Sequence, residues 1–400
     1  MKRYSYHIHL LALFSLLWVA VTPSSIGYAQ AMVMDTHVEY EFGGLIKIEA
    51  FVQSETPIQK AKLFLQAEGD STTRIGPVVE NPSSSMVFEY TPPEHQPLRA
   101  FSTVTYWFEL ALENQPDFIS DKYSFQYIDN RFEWQSREAE PFQVNWQPSQ
   151  GDSDFGQALL DVAQLGLERV QSILSLKSPT QVRIFAYPNA AEMRDTLGSS
   201  RTNWVGAHAD PDLRVMMVSL PSGPEQRLEM ERQIPHELMH IMLYENLGSS
   251  YTKLPVWLNE GLASNAELFP NPDYLVLLKS ARERENLLPI ASLCNSFPRE
   301  ASGTFLAYAE ATSFTRFIHN RFGTSGLEAL IEAYADGVDC ERGTQVALGS
   351  SLSQLENQWR REAFGDNIIM TAGKNLLPWL VVMGLILIVP IGVAMGWRQR

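Results

Sequence analysis

Cysteine is nearly missing from this 400-residue chain: Cys294 and Cys340 are the only two. Two thiols cannot build a four-thiolate zinc site. In an exported protein they would suffice for one disulfide, closing a loop of roughly 45 residues. The alternative is two unpaired, partly buried thiols, and spacing alone does not choose between them. Basic residues are also scarce, 31 against 46 acidic, for a formal net charge of −15. That field repels phosphate backbones and argues against a nucleic-acid partner. No long internal repeat is visible. Apolar residues, at 45%, are plentiful enough for ordinary cores, which excludes a disordered chain. The length suggests two folded domains plus targeting segments.

The first 31 residues read as a secretory signal. Lys2 and Arg3 begin it, Ile8 to Val21 is a short apolar run, and Thr22-Pro23-Ser24-Ser25 breaks that run. Ala29-Gln30-Ala31 offers small residues at a cleavage site, after Ala29 or Ala31. The competing reading is an uncleaved anchor. Near the other end, Leu376 to Trp397 carries no charged side chain. It is long enough as a helix to cross a bilayer, with Trp379 and Trp397 near its ends and Arg398-Gln399-Arg400 beyond.

Between the ends the pattern changes once. From about residue 35 to 130 it is strand-like, as in Gly44–Val52, Lys60–Gln66, Thr103–Leu112 and Lys122–Ile128, with Gly, Pro, Asn and Asp turns between. This predicts a small antiparallel sandwich, immunoglobulin-like or fibronectin-like, serving as a spacer or in adhesion. A polar connector follows. Asp154–Leu176 then has helical spacing, Gln181–Tyr187 reads as a strand and Asn189–Leu197 as a helix. Leu213–Leu220 reads as a strand, and Arg232–Leu247 as a helix ended by Gly248. Further helices follow, in an α+β order.

The chemistry lies in His236-Glu237-Leu238-Met239-His240. Residues four apart on a helix share a face, so both imidazoles can reach one ion, with Glu237 beside them. Pro235 is read as lying near the helix start, where its missing N–H costs little. Twenty positions after His240 comes Glu260, within Asn259-Glu260-Gly261-Leu262-Ala263.

Together these two elements resemble the gluzincin metallopeptidases, the group that includes thermolysin and the large zinc aminopeptidases. The resemblance covers mainly Val205–Phe322. It implies that Glu260 is the third zinc ligand. Two histidines and a carboxylate leave a fourth position for water, as catalytic zinc sites do. Glu237 would then be the general base. Asn259 or Ser264 would orient Glu260. Tyr308, on a helix similar to one in small bacterial peptidases of this type, is the candidate oxyanion donor; His319, Tyr244 and Tyr251 are weaker ones, and His208 is read as structural. Gluzincins have an edge strand where Leu213–Leu220 lies, to which extended substrate adds. The G-x-M-E-N motif that captures a substrate amine in the large aminopeptidases is missing; the nearest text is Val205-Gly206-Ala207-His208-Ala209-Asp210.

The expected protein is therefore an α+β gluzincin-like domain preceded by a small all-β sandwich, with a C-terminal transmembrane helix. The boundaries are a signal at 1–31, the sandwich at 32–132, a linker at 133–152, the peptidase at 153–366, the membrane helix at 375–397 and a cytoplasmic tail at 398–400. The expected activity is Zn2+-dependent cleavage of peptide or unfolded protein outside the cytoplasm, at a membrane. An inactive peptidase-fold scaffold or adhesion protein is the alternative.

Overall fold

A computed structural model describes residues 31–151, 153–198 and 206–365, together with position 379. The N-terminal region is all β. One sheet has the order β1-β2-β5, formed by β1 (Ala31–Tyr40), β2 (Ile46–Ser54) and β5 (Ser85–Tyr90). The second has the order β4-β3-β6-β7, from β3 (Ile58–Ala67), β4 (Arg74–Glu80), β6 (Thr103–Leu112) and β7 (Phe118–Ile119), with β8 (Tyr123–Gln126) also paired to β6. All of these pairings are antiparallel. The alternation in β6 sends Val104, Tyr106, Phe108 and Leu110 to one face. There they meet Ile46, Ile48, Met86 and Phe88 of the facing sheet in one core.

The third sheet has the order β12-β13-β11-β10-β9. Its strands are β9 (Gln135–Ala139), β10 (Phe142–Trp146), β11 (Val182–Tyr187), β12 (Ala207–Asp210) and β13 (Val215–Ser219). The central strands β10, β11 and β13 run parallel, and the outer strands β9 and β12 run antiparallel to their neighbours. The connector expected at 133–152 thus supplies two strands. The edge strand β9 is polar and largely exposed, whereas Phe142, Val144, Asn145 and Trp146 of β10 are buried.

Helices α1 (Ser153–Ile173), α3 (Gln226–Leu247), α4 (Val256–Ala266) and α6 (Ala301–Ala335, broken at Gly323) build the core on one side of this sheet. Helices α2 (Ala190–Leu197), α5 (Asp273–Glu283), α7 (Cys340–Leu348) and α8 (Leu352–Phe364) complete the chain order. Strand β13 is apolar up to Ser219 because both faces of the sheet are covered there. Ile184, Met216 and Val218 face the helices. Phe185, Tyr187, Val215 and Met217 face the other way, against Phe101, Phe42, Phe132 and Trp134. The β region is therefore more than a spacer, since its loops cover the second face of the sheet. Its fully buried Asp129 accepts hydrogen bonds from Thr196 at 2.7 Å and Tyr187 at 3.1 Å.

Two expectations are corrected. Among the described residues no helix is long and apolar enough to cross a membrane. The longest, α6, carries Glu310, Arg316, Arg321 and Glu328 and breaks at Gly323. The C-terminal membrane helix is thus no part of the described fold; apart from Trp379, the stretch 375–397 lies outside the described residues, as does the signal apart from Ala31. Second, the zinc-type motif is not at a helix start. Helix α3 begins at Gln226, which puts Pro235 well inside it. The two cysteines form a disulfide that joins Cys294 to the N-terminus of α7.

Candidate active site

An interior proline removes one N–H from the helical ladder and frees the carbonyl four residues earlier. Here that carbonyl belongs to Glu231, and it accepts from the backbone N–H of Leu268 at 2.9 Å. The segment leaving α4 is thereby tied to α3, and Glu267 is brought against His236. Helix α4 in turn packs closely on α6. A Cβ on Gly261 would lie 2.6 Å from the Ala311 carbonyl oxygen, so only glycine allows this approach. Val256, at the start of α4, donates to the carbonyl of Cys294 at 2.9 Å.

These contacts bring His236, His240 and Glu260 together. One ligand atom from each lies within 4.8 Å of the others, a cluster that could hold a metal ion. His236 Nε2 is 3.4 Å and His240 Nε2 is 3.8 Å from Glu260 Oε2. The Nδ1 atoms point away, to other partners. His236 Nδ1 is 3.2 Å from Glu267 Oε1. His240 Nδ1 is 3.1 Å from Asn259 Oδ1 and 3.2 Å from the Tyr251 hydroxyl, to which Asn259 Nδ2 donates at 2.9 Å. An oxygen acceptor at Nδ1 favours the tautomer whose Nε2 lone pair is free for a metal. The donor set of two imidazoles and one carboxylate fits zinc.

Burial opposes charge on His236, but hydrogen bonds to Glu260 and Glu267 outweigh it and hold its pKa well above the ordinary value. Burial likewise opposes the Glu260 charge, and His240 and His236 overcome it, lowering the carboxyl pKa. The Glu260 charge and burial push the Tyr308 hydroxyl well above the usual phenol range, so it remains a proton donor. Tyr308 packs beside His236, ring centroids 6.3 Å apart, and against Phe297 at 5.0 Å. Glu237 is buried next to the cluster. His236, Glu237, Glu260, Glu267 and Tyr308 all line one cleft of about 890 Å³, as do Gly206 and Ala207.

A profile of the Peptidase MA superfamily matches residues 162–365, just over half of the chain. The chain belongs to the Peptidase MA superfamily. Its superfamily region is a peptidase-like α+β domain, preceded by the all-β region. No curated protein matches the chain. Among solved structures, an aminopeptidase N family protein from Idiomarina loihiensis is 8% identical, with a TM-score of 0.35 over 81% of this chain and 72% of that one. OgpA from Akkermansia muciniphila is 14% identical, with a TM-score of 0.20 over 27% of this chain and 32% of that one. A polysaccharide deacetylase from Bacillus cereus is 10% identical, with a TM-score of 0.20 over 44% and 57%. The chain spans about a third of OgpA and somewhat more than half of the deacetylase. At these TM-scores none of the three carries an argument.

Within the superfamily domain, some residues stand elsewhere than the sequence suggested. Asn259 contacts His240 rather than Glu260. Tyr251 also stands at His240, with Tyr244 behind it, ring centroids 5.8 Å apart. His319 is 3.4 Å from Thr324, just past the break at Gly323. Strand β13 is internal to the sheet and wholly buried, and the edge beside the cleft is β12. Glu267 and the cleft-lining Tyr274 were not anticipated. No local motif marks Glu267; the only hint was Pro235, whose interior position was not apparent.

Proposed function

We propose that the protein is a zinc-dependent peptidase acting on extended or unfolded polypeptides, with His236, His240 and Glu260 as metal ligands. The observation that carries this reading is the orientation of the two imidazoles. Each has its Nδ1 beside an oxygen partner and its Nε2 turned toward Glu260, and His236 and Glu260 line a cleft together with Glu237. A zinc ion bound there would supply polarisation of the scissile carbonyl and a more acidic water. Glu237 takes a proton from the attacking water and returns it to the leaving amine nitrogen. Tyr308 donates its hydroxyl proton in a hydrogen bond to the carbonyl oxygen as negative charge develops there. Edge strand β12 presents backbone to which an extended substrate adds as a further strand. The reading includes a location outside the cytoplasm, supported by the Cys294–Cys340 bond, because such bonds persist in oxidising compartments.

The test combines metal analysis with Glu237→Gln. The nearly isosteric amide should keep zinc and lose roughly 10²–10⁴-fold in cleavage of unfolded casein. Unchanged cleavage would refute Glu237 as the base. A wild type that binds zinc but cuts nothing across a broad peptide library would favour the inactive scaffold.

A further inference from the structure

The strand that borders the cleft is short. Among the described residues, Ala207–Asp210 pair on one side only, with β13. Such an edge needs outside support if it is to hold its register against an incoming chain. Here the support comes from the β region. Arg99, in the loop before β6, donates through both terminal nitrogens to the two carboxylate oxygens of Asp212, a bidentate pair. Its Nη2 also lies 3.1 Å from Asp210 Oδ1, and the same oxygen is 3.2 Å from His208 Nε2. Burial works against the Asp210 charge, yet His208 and Arg99 hold its pKa down at about 2. One guanidinium thus grips both the last residue of β12 and the turn, Pro211–Leu213, that leads into β13.

The loop that carries Arg99 is itself firmly placed. Phe101 has φ +59°, a left-handed conformation uncommon for a bulky side chain. It is fully buried, stacked on Phe185 with ring centroids 3.8 Å apart, and its carbonyl accepts from Arg183 at 2.7 Å. On the other side Gly69, at φ +80°, lies so close that a Cβ there would meet both Arg99 and Asp212. Because side chains alternate along a strand, His208 and Asp210 face this clamp while Ala207 lines the cleft.

We infer that the N-terminal β region positions the substrate-accepting edge of the peptidase-like domain, with Arg99 as the positioning residue that fixes strand β12 through Asp210 and Asp212. The inference rests on the peptidase reading for its substrate half alone. Arg99 touches none of the reacting groups, so its loss acts on binding of the extended chain and leaves the chemical step.

The experiment uses the full chain as wild type, Arg99→Met, Arg99→Lys and Lys62→Ala. The last breaks an ion pair to Glu109 within the β region, away from the clamp. Hydrogen exchange at the amides of 207–210 is measured first, then KM and kcat on a fluorogenic unfolded casein. Arg99→Met should speed exchange at 207–210 and raise KM roughly three- to thirty-fold, the range expected for coupling through such a chain of contacts, with kcat little changed. Arg99→Lys, which keeps the charge but loses the fork, should recover only part of each effect, and Lys62→Ala should show neither. Unchanged exchange at 207–210 in Arg99→Met overturns the clamp whatever the activity. Faster exchange with unchanged KM, or a fall confined to kcat, overturns the link to substrate. A wild type that cleaves nothing counts against the peptidase reading and the substrate half together, while the exchange rates still decide the clamp.

Discussion

The backbone N–H of Leu268 donates to the carbonyl of Glu231 across 2.9 Å, in the place of the helical bond that Pro235 cannot make. This pairing sets the neighbouring Glu267, almost fully buried, 3.2 Å from His236 Nδ1. A carboxylate there orients the ring and raises its basicity as a ligand. Glu267→Ala should therefore weaken zinc binding by roughly 10–100-fold, the usual cost of losing such a partner. Competition against a chelating indicator measures it. Pro235→Ala should weaken binding in the same direction, because residue 235 then offers its own N–H to Glu231 and competes with Leu268. Wild-type affinity in Glu267→Ala would remove the carboxylate from the account of the site.

Tyr308 tests a different part of the cleft. Its hydroxyl is kept protonated by the Glu260 charge and by burial. Tyr308→Phe should lower kcat by roughly 10²–10³-fold, the worth of one oxyanion donor. Zinc content and KM should stay near the wild-type values. A variant with full kcat would return the oxyanion role to another donor in the cleft.

How far the sequence spoke for itself depended on whether the relevant contacts were local. His236, Glu237 and His240 lie within a single helical turn, and Asn259-Glu260 opens a second motif, so both were visible as text. Strand β12 was not. Ala207-His208-Ala209-Asp210 holds no β-branched or aromatic residue and forms because β13 offers it a partner. Conversely Val215–Ser219 reads strongly as a strand, but nothing in its text says that another strand covers it. The role of Arg99 was invisible because its partners lie more than a hundred residues away, in a turn with no motif. The disulfide was undecidable from spacing, since it depends on α7 returning to the segment before α6.

That disulfide yields a stability prediction. It closes a loop of 46 residues between the segment before α6 and the start of α7. By loop entropy this is worth roughly 4 kcal/mol. Replacing Cys294 and Cys340 together by Ser should lower the unfolding free energy by about that amount, seen as a lower urea midpoint, with m rising as the freed unfolded chain exposes more surface. The effect should extend to the site, because the Cys294 carbonyl accepts from Val256 at the start of α4. An unaltered midpoint would mean that the bond adds nothing to the fold.

Glu310 supplies the pH dependence. It is fully buried in α6, and its Oε1 accepts from the Leu288 N–H at 2.9 Å. Its Oε2 has no hydrogen-bond partner among the described residues. Burial pushes its pKa from 4.5 up to about 8; the Leu288 N–H and Arg360 oppose the rise and Glu356 adds to it. Between these two values the folded protein holds a proton that the unfolded chain has released, so stability falls as pH rises. The contribution is fully present below about pH 4.5 and is lost progressively toward pH 8, at up to about 1.4 kcal/mol per unit. Glu310→Gln stays neutral and keeps an acceptor for Leu288. It should match wild type near pH 5 and be the more stable of the two at pH 8, by urea denaturation at both. Any other group that titrates in this range is common to both proteins and cancels in the difference. A wild-type-minus-variant difference that is flat from pH 5 to 8 would show that Glu310 is ionised in the fold, with Arg360 outweighing its burial.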